Sequence, residues 1–483
     1  MDKTTLSALL TDIEATMTSG VDPMVSGVAY RSDRVRPGDV FFCVPGFKVD
    51  GHTFAANAAA NGASALVVQR PLDVDLPQAV VADTRQALAL ASARAYGRPT
   101  EHMDVVGITG TNGKTTTTYL MDAILRAAGR VTGIIGTVET RVGDERLLSA
   151  RTTPESADLQ ALFAEMIDRG VSAASIEVSS HAIDLHRVDG VHFAVAAFTN
   201  LTQDHLDYHG TLEEYFAVKR RLFSDLDVGE RVVNIDDDYG RLLASELGIA
   251  LTVGRSADAA VRAEDEEPDI TSSRFMLVTP QGSVAVGLPL AGAYNVSNAL
   301  VAAGCALALG IDLETISVGL GCASQVPGRL ERIDEGQSFT VLVDYAHTPD
   351  SLEKAISAVR AVTPGRVITV FGCGGDRDPE KRPLMGRAAG TGSDLVVLTS
   401  DNPRSEDPVG IILHVEDGLR PTGTPYVVEI DRRKAIVAAL VGASEGDAVL
   451  IAGKGHEDYQ VFLDRTIHFD DREVAREELK ALC

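Results

Sequence analysis

The chain has 483 residues, which is too long for a single hydrophobic core and suggests about three domains of roughly 150 residues each. Its composition, with 45% hydrophobic and 23% charged residues, is ordinary for a soluble globular protein. The formal net charge of −25 argues against proteins that wrap nucleic acid or lie on an anionic membrane, because both need a basic surface. We therefore expect neither a nucleic-acid partner nor membrane insertion.

The cysteines and the first residues indicate a cytoplasmic protein. The cysteines are scattered and never form a C-x-x-C pair, which fits a reducing compartment without a structural zinc site; they are Cys43, Cys305, Cys322, Cys373 and Cys483. The first residues lack the unbroken apolar run of a secretory signal. No stretch approaches the ~18 apolar residues of a membrane span.

Short apolar segments alternate with helical patterns along the chain, which predicts an α/β protein built on parallel sheets. The pattern falls into three blocks, at residues 1–100, 101–327 and 328–483. In the second and third blocks, apolar segments repeatedly end in loops rich in Gly, Asp, Asn, His, Arg or Glu. Because ligands sit at the carboxyl ends of strands in open parallel sheets, these loops together predict one composite site.

The clearest motif is a glycine-rich loop between a predicted strand and a predicted helix, in VVGITGTNGKTTTTYLMDAILRAAG at 105–129. In this arrangement backbone N–H groups and the helix dipole hold phosphates. The usual pattern G-x-x-x-x-G-K-[ST] would need glycine where this chain has Ile108. Lys114 would reach the β- and γ-phosphates, and a hydroxyl of Thr115 or Thr116 would contact Mg²⁺. We interpret the loop as a nucleotide site from a separate branch of the phosphate-loop proteins, rather than as a tight turn with a chance lysine.

Two further strands of the second block end in residues that can bind a metal. Glu177 closes one apolar strand, and His205 follows the next strand in TNLTQDHLDYHG. Carboxylate and imidazole groups can hold Mg²⁺ together with waters and triphosphate oxygens. A solvated strand-end carboxylate is the common alternative, but two such strand ends in the block that holds the phosphate loop favour a metal site.

The third block carries charges suited to a different ligand. Arg377, Arg404 and Glu457 each follow a predicted strand. A guanidinium pairs a carboxylate through two hydrogen bonds, so two arginines beside an acid suit a zwitterion with carboxylate ends. Surface ion pairing is the alternative for each loop taken alone.

The sequence resembles the Mur ligases of peptidoglycan synthesis along essentially its whole length. The resemblance is carried, in chain order, by GTNGKT, EVSSHA, TNLTQDHLDYHG, GAYNVSNAL, VPGRLE, VDYAHTPD, FGCGGDRD and GKGHEDYQ. It implies a small N-terminal α/β domain that binds UDP, a central ATPase-like domain with a parallel sheet, and a C-terminal Rossmann-like domain. The unusual phosphate loop is the normal form in this family.

The resemblance also implies the residues of each subsite. ATP is expected at Gly110, Thr111, Asn112, Gly113, Lys114, Thr115, Thr116, Asn298, Arg329, Asp344 and His347. Mg²⁺ is expected at Thr115, Glu177, His205 and Lys219, the last of which matches the lysine that this family carbamoylates. The UDP-MurNAc-dipeptide is expected at Tyr30, Ser32, Phe47, Lys48, Val49, Thr152, Thr153, Ser179 and Arg187. The implied catalytic residues are Lys114, Glu177, His205 and Lys219.

The tetrapeptide DNPR resembles the signature of the family members that add meso-diaminopimelate. The amino acid is expected at Arg377, Asp401, Asn402, Pro403, Arg404, Gly453 and Glu457. Diaminopimelate has a second amino-acid end whose carboxylate Arg404 can pair, whereas lysine offers only an ammonium there. A site built to pair a charged group rejects an analogue that lacks it, because the buried charge of the site is left unpaired.

The implied activity is that of an ATP-dependent amide ligase of peptidoglycan precursor synthesis. It joins meso-diaminopimelate to the γ-carboxylate of D-glutamate in UDP-MurNAc-L-Ala-D-Glu through an acyl phosphate, and we expect it to act as a cytoplasmic monomer. One alternative is a ligase of the same fold that adds L-lysine, or that adds glutamate to a folate. The other is a nucleotide switch or motor, for which the phosphate loop alone would serve.

Overall fold

The structure, a computed structural model, describes residues 3–147, 151–269 and 271–482. The chain divides into two compact units. Unit 1 comprises Met1–Thr109, Ala128–Ala197 and Ala217–Val232, and unit 2 comprises Gly110–Ala127, Phe198–Phe216 and Val233–Cys483. Both units contain parallel strands with helices between them, so the predicted α/β class is confirmed.

The first part of unit 1 is a small α/β layer. Its strands are β1 (Thr4–Thr5), β2 (Ala15–Met17), β3 (Met24–Val25), β4 (Gly27–Ala29), β5 (Asp39–Phe42), β6 (Ala65–Val68) and β7 (Gln78–Val81). Its helices are α1 (Leu6–Leu9), α2 (Ala55–Ala60) and α3 (Thr84–Ala95), with 3₁₀ turns at Ser32–Arg34, Gly51–Phe54 and Pro99–Glu101. Five strands form a sheet in the order β2-β7-β6-β5-β4, in which only β2 is antiparallel to its neighbour.

The middle of the chain contributes to both units. Its strands are β8 (Asp104–Thr109), β9 (Thr132–Ile135), β10 (Thr140–Val142), β11 (Glu145–Leu147), β12 (Ala173–Glu177), β13 (Phe193–Phe198), β14 (Val228–Asn234), β15 (Thr252–Gly254), β16 (Val261–Pro268), β17 (Ser273–Thr279) and β18 (Gly282–Leu288). Its helices are α4 (Lys114–Ala127), α5 (Ser156–Asp168), α6 (Ser180–Asp184), α7 (Leu206–His209), α8 (Leu212–Ser224), α9 (Asp238–Leu247), α10 (Ala293–Ala308) and α11 (Leu313–Gly321).

Parallel strands form the centre of the larger sheet in unit 1. The strand order is β11-β10-β9-β12-β8-β13-β14, and β9, β12 and β8 run parallel. Val105, Val106 and Ile108 of β8 are buried, as expected for a strand covered on both faces. Gly107 lies inside this strand, where a Cβ would come within 2.5 Å of the Phe193 ring. Gly107 therefore serves strand packing.

Each unit also contains antiparallel strands beside the predicted parallel ones. In unit 1, β10 pairs antiparallel with β9 and β11. In unit 2, the last residues of β14 pair parallel with β15, and β16, β17 and β18 then form an antiparallel meander. The sequence analysis did not predict these strands.

The last part of unit 2 is a second layered α/β structure. Its strands are β19 (Glu331–Ile333), β20 (Thr340–Asp344), β21 (Val367–Phe371), β22 (Leu395–Leu398), β23 (Tyr426–Val428), β24 (Ala448–Ala452), β25 (Tyr459–Val461) and β26 (Thr466–His468). Its helices are α12 (Pro349–Val362), α13 (Lys381–Gly392), α14 (Pro408–Leu419), α15 (Arg432–Gly442) and α16 (Asp471–Leu482), with a 3₁₀ turn at Arg420–Thr422. The sheet order is β19-β20-β24-β21-β22-β23, parallel from β20 to β23. A buried apolar cluster covers each face, which explains the continuous apolar strands.

The described cysteines are all free thiols: Cys43, Cys305, Cys322 and Cys373. Cys483 lies outside the described residues. In the part of the chain that the structure describes, no helix is long and apolar enough to cross a membrane.

Candidate active site

The predicted phosphate loop, residues 110–113, leads directly into α4 and lies in unit 2. Gly113 has φ of +89°, and a Cβ there would lie 2.2 Å from Asn298 Oδ1, so this position requires glycine. The N–H of Thr111 donates to the Asn200 carbonyl at 2.8 Å, and the N–H of Asn112 donates to Asn200 Oδ1 at 2.9 Å. Protein contacts thus fix the shape of the loop, and they bring Asn298 of α10 against it.

Lys114 is the first residue of α4, and its side chain turns back over the loop. Its Nζ donates to the carbonyls of Gly110 at 2.8 Å and Thr111 at 2.7 Å. Thr115 and Thr116 follow in the first turn, and both are buried. An ammonium group therefore lies at the positive end of a helix, which is an arrangement that suits phosphate oxygens.

Arg329 reaches the same helix turn within unit 2. Its Nη2 donates to Thr115 Oγ1 at 3.1 Å, and its guanidinium carbon lies 4.5 Å from the centre of the Tyr345 ring. This contact joins a residue near the start of the third predicted block to the phosphate loop.

Asp344 and His347 follow β20 in the same unit. Asp344 accepts the N–H groups of Leu330 at 2.7 Å and Ala346 at 2.8 Å, and burial raises its pKa. His347 Nδ1 lies 2.8 Å from the Tyr345 carbonyl. Burial lowers the pKa of His347 to about 4, so near neutral pH its imidazole is uncharged and its Nδ1–H donates to that carbonyl.

Two charged residues that the sequence analysis did not assign to ATP join this group. Lys381 Nζ donates to the His347 carbonyl at 3.2 Å. Burial alone would raise the pKa of Asp204, but His205, His347 and Lys381 together hold that pKa below its usual value. Asp204 is therefore ionised near neutral pH.

The predicted metal ligands are divided between the units. In unit 1, Glu177 closes β12, and its carboxylate oxygens accept the N–H of Thr137 at 2.7 Å and its hydroxyl at 3.1 Å. Lys219 of α8 is also in unit 1, is 1% exposed, and places Nζ 3.4 Å from Thr109 Oγ1. In unit 2, His205 directly precedes α7 with φ of +54°, a strained backbone conformation for a non-glycine residue.

These residue types fit Mg²⁺ only with additional oxygen donors. Among the described residues, no group of three or more His, Cys, Asp or Glu side chains is arranged to hold a metal by itself. The hydroxyl of Thr115, substrate phosphate oxygens and a carbamate on Lys219 would supply oxygens of the kind that Mg²⁺ prefers. A carbamate would also replace a buried cation at Lys219 by an anion.

Four of the residues predicted for the UDP-MurNAc-dipeptide come together in unit 1. Thr153 Oγ1 donates to the Glu177 carbonyl at 2.7 Å and accepts the Ser179 N–H at 3.2 Å. Arg187 Nη1 donates to the Thr153 carbonyl at 3.1 Å. The hydroxyls of Thr152 and Thr137 lie 3.0 Å apart. These contacts link the loop at 152–153 to the end of β12.

Glu155, which was not predicted, holds a cluster of arginines beside that loop. Arg187 Nη2 lies 2.9 Å from Glu155 Oε1, Arg85 Nη1 lies 3.5 Å from Glu155 Oε2, and Arg151 also pairs with this carboxylate. Arg85 Nη2 donates to the Pro45 carbonyl at 2.9 Å. With three guanidinium groups and one carboxylate, the cluster suits an anionic ligand.

The remaining residues predicted for the UDP-MurNAc-dipeptide lie in the small α/β layer of unit 1. The Tyr30 hydroxyl donates to Asp158 Oδ2 at 2.6 Å. Burial and, to a smaller extent, the Asp158 carboxylate raise the pKa of Tyr30. Ser32 begins a 3₁₀ turn, and Lys48 lies in a loop with Phe47 and Val49, which are 76% and 53% exposed. Such exposure of two apolar side chains in one loop suits a ligand-facing surface.

The DNPR loop packs on the GCGGDRD loop in unit 2. Arg404 has φ of +53°, and its Nη1 donates to the Gly375 carbonyl at 2.7 Å. The Pro403 carbonyl lies only 2.0 Å from where a Gly375 Cβ would be, so a side chain at 375 would clash. Arg377 Nη1 donates to the Asp376 carbonyl at 3.0 Å. Both predicted arginines therefore belong to one pair of contacting loops.

The other predicted amino-acid residues meet at the end of β24. Asn402 Nδ2 donates to Glu457 Oε2 at 3.0 Å. A Cβ at Gly453 would lie 2.8 Å from Asp401 Oδ2, so Gly453 permits a close approach of the carboxylate. Lys454, which was not predicted, is fully buried among these groups.

The residues missed by the sequence analysis had weak local signals. Lys454 lies inside GKGHEDYQ, so the motif marked its segment without marking the residue itself. Lys381 and Arg85 stand in ordinary helical patterns, and no sequence feature separates them from surface cations.

Three protein-family profiles match the chain in order. The profile described as Mur ligase family, catalytic domain, matches residues 24–104. The Mur ligase middle domain matches residues 108–306, and the Mur ligase glutamate ligase domain matches residues 328–455.

Individual relatives extend the similarity to nearly full length. The chain is 48% identical to the UDP-N-acetylmuramoyl-L-alanyl-D-glutamate–2,6-diaminopimelate ligase of Geobacillus kaustophilus, over 95% of this chain and 96% of that protein. It is 48% identical to the ligase of the same name from Solibacter usitatus, over 94% of each chain. A solved structure bearing that name is 34% identical, has a TM-score of 0.69, and is matched over 95% of both chains. The chain therefore belongs to the Mur ligase family.

Proposed function

We propose that the protein is an ATP-dependent ligase that joins meso-2,6-diaminopimelate to the γ-carboxylate of D-glutamate in UDP-MurNAc-L-Ala-D-Glu. The observation that carries this proposal is the 48% identity, over 95% of the chain, to a ligase named for that reaction. The product is a precursor of peptidoglycan, so the activity belongs to cell-wall synthesis.

ATP binds at the loop of residues 110–113 and the N-terminus of α4. Backbone N–H groups of the loop and Lys114 hold the phosphates, and Arg329 brings a second positive charge to Thr115. Asn298, Asp344 and His347 hold the rest of the nucleotide. The contact of Asn298 with Gly113 and the neutral state of His347 support this assignment.

The reaction has two steps. A γ-carboxylate oxygen of D-glutamate attacks the γ-phosphorus of ATP, the bond to the bridging oxygen breaks, and ADP leaves with that electron pair. The uncharged amine of diaminopimelate then attacks the acyl carbon, the bond to the phosphate oxygen breaks, and inorganic phosphate leaves while the amine loses a proton. Lys114 and Arg329 offset the negative charge on the phosphoryl oxygens.

Mg²⁺ would be held by Thr115, Glu177, His205 and Lys219 in carbamoylated form. When bound, it neutralises charge on the phosphate oxygens. Lys219 is 1% exposed, and a carbamate formed on its amine would place at this buried position an anion of the oxygen-donor kind that Mg²⁺ prefers.

The UDP-MurNAc-dipeptide binds along unit 1. Its proposed contacts are in two places: Tyr30, Ser32, Phe47, Lys48 and Val49 in the small α/β layer, and Thr152, Thr153, Ser179 and Arg187 near the end of β12. The excess positive charge around Glu155 supports binding of an anionic substrate there.

Diaminopimelate binds between the loops that follow β21, β22 and β24. Arg377 and Arg404 pair the carboxylate of its distal end, and Asp401 and Glu457 pair an ammonium, with Asn402, Pro403 and Gly453 shaping the loops. Lysine lacks the distal carboxylate and would leave Arg404 uncompensated.

We also propose three domains, at residues 1–100, 101–327 and 328–483, in a cytoplasmic monomer. The matched profile ranges at 24–104, 108–306 and 328–455 support the boundaries. One domain holds the UDP-sugar, one ATP and one the amino acid.

ADP formation by the purified protein tests the proposal. We expect ADP only when UDP-MurNAc-L-Ala-D-Glu and diaminopimelate are both present with Mg-ATP. ADP formed without an acceptor would favour the nucleotide switch. Protection from heat by a folate, with none by UDP-MurNAc-L-Ala-D-Glu, would favour the folate ligase.

A further inference from the structure

Lys454 is a buried lysine to which the proposed reaction gives no role. Its side chain is fully buried, and its Nζ lies 3.3 Å from Asn402 Oδ1, 3.4 Å from Glu457 Oε2 and 4.0 Å from Asp401 Oδ1. Burial of an ammonium is costly unless charged or polar partners replace its water. These three partners are residues of the proposed amino-acid site, and the centre of the Tyr459 ring lies 5.5 Å from the same Nζ.

Lys454 and Asn402 converge on the same oxygen of Glu457. Asn402 Nδ2 donates to Glu457 Oε2 at 3.0 Å, and Lys454 Nζ donates to that oxygen at 3.4 Å. Asn402 Oδ1 accepts from Lys454 and also from the Val461 N–H at 2.9 Å. The lysine thereby ties the loop after β24 to the DNPR loop and to strand β25.

The net charge of Asp401, Glu457 and Lys454 suits the binding of one ammonium group. When Asp401 and Glu457 are ionised, their negative charges and the positive charge of Lys454 leave one net negative charge. Burial and the Asp401 carboxylate raise the pKa of Glu457, and Lys454 opposes this effect. Without the lysine, repulsion by the Asp401 carboxylate would favour protonation of Glu457, and a protonated acid pairs an ammonium poorly.

We propose that Lys454 is a positioning residue that sets the geometry and charge of the ammonium-binding half of the amino-acid site. It acts through Asn402 and Glu457 without touching the substrate. The inference rests on the proposed function, because it takes Asp401 and Glu457 as partners of an amino-acid ammonium.

Lys454→Met tests the inference directly, because methionine keeps the length of the side chain and removes its charge. We expect KM for meso-diaminopimelate to rise about tenfold or more, while KM for ATP and for UDP-MurNAc-L-Ala-D-Glu changes less than about twofold. Lys434→Met removes an exposed lysine of α15 and should keep all wild-type constants. Equal rises in all KM values, or an unchanged KM for diaminopimelate, would overturn the inference.

The pH profile separates the role of the charge from that of packing. The charged and titratable groups that face Glu457 are Asp401, Lys454, Arg432, Tyr345 and Tyr459. Because loss of the Lys454 cation raises the pKa of Glu457, the acidic limb of kcat/KM for diaminopimelate should move to higher pH in Lys454→Met. A limb that stays at the wild-type pH would contradict the charge role.

If Lys454→Met does not fold, the double variant Lys454→Met/Glu457→Gln tests the inference instead. It removes both charges of the Lys454–Glu457 pair. Compared with Glu457→Gln alone, the added change should raise KM for diaminopimelate by less than about threefold. A further rise of about tenfold overturns the inference.

The wild-type enzyme separates the two proposals. No product with diaminopimelate would end the proposed function and this inference with it. Product formation by wild type, together with wild-type constants in folded Lys454→Met, would overturn the inference alone.

Discussion

Arg329 and Thr115 are joined by a hydrogen bond of 3.1 Å although 214 positions separate them in the sequence. The same guanidinium lies 4.5 Å from the centre of the Tyr345 ring. These contacts place a positive charge at the first turn of α4, where the phosphates of ATP are proposed to bind.

Replacement of Arg329 by methionine should weaken the use of ATP. We expect kcat/KM for ATP to fall about 10- to 100-fold, because a charge-assisted hydrogen bond and a phosphoryl-neutralising charge are both lost. Arg332→Met, which removes a partly exposed arginine paired with Asp334, is the matched control and should behave as wild type. Steady-state rates at varied ATP concentration measure this effect. Equal values of kcat/KM for ATP in the two variants would contradict the assignment of Arg329 to the ATP site.

Replacement of Arg85 should weaken binding of the UDP-sugar substrate and leave binding of ATP unchanged. Arg85 links the Pro45 carbonyl, at 2.9 Å, to Glu155, at 3.5 Å, so it joins the Phe47 loop to the loop of Thr152 and Thr153. For Arg85→Met we expect KM for UDP-MurNAc-L-Ala-D-Glu to rise about tenfold, with KM for ATP unchanged. Arg94→Met, on the same helix, controls for general loss of a cation. An unaltered KM for the UDP-sugar in Arg85→Met would remove this link from the account.

Arg404→Gln should lower discrimination between diaminopimelate and lysine. The variant loses the charge proposed to pair the distal carboxylate, so kcat/KM for diaminopimelate should fall about 100-fold or more while the low rate with lysine falls little. The ratio of the two kcat/KM values measures this effect. Arg433→Gln removes an exposed arginine of α15 and should leave the ratio intact. A ratio that survives in Arg404→Gln would show that discrimination lies elsewhere.

Stability should decline as the pH falls below about 6.5, because two buried histidines resist protonation. Burial lowers the pKa of His347 to about 4 and that of His456 to about 3, each from 6.5. At about pH 5 the native imidazoles remain uncharged while the unfolded chain takes up protons, so unfolding becomes more favourable by on the order of 1–2 kcal/mol for each histidine.

The double variant His347→Asn/His456→Asn should therefore lose less stability on acidification. We expect a smaller fall in Tm between about pH 7.5 and about pH 5 than in wild type. His468→Gln is the control, because Glu473 raises the pKa of this exposed imidazole and its removal should not flatten the decline. Equal declines in Tm for wild type and the double variant would show that other groups govern the acid sensitivity.

The features that could be predicted from the sequence are those formed by residues close together in the chain. The phosphate loop and its helix were predictable because strand, glycine loop and helix follow each other directly in the chain. The DNPR loop was predictable as a site because its residues follow an apolar strand. Its arginine was assigned to a carboxylate, and that role stays a prediction.

The contacts that shape the site were not predictable, because they join distant segments. Position 113 requires glycine partly because Asn298 Oδ1 lies where a side chain would be. The two residues are 185 positions apart (298 − 113), and the sequence around one does not indicate the other. Lys454 looks like a surface cation in the sequence, and only the fold shows it buried against Asn402 and Glu457. The meander of β16, β17 and β18 was missed because strand pairing depends on tertiary contacts that a local pattern does not contain.

A competition between the two acceptors is the sharpest test of the proposed activity. The purified enzyme would receive Mg-ATP, UDP-MurNAc-L-Ala-D-Glu and equal amounts of meso-diaminopimelate and L-lysine, and the product masses and ADP would be measured together. We predict the diaminopimelate tripeptide as the dominant product, with ADP formed in equal amount. A lysine product would contradict the reading of Arg404, and ADP without either product would contradict the ligase itself.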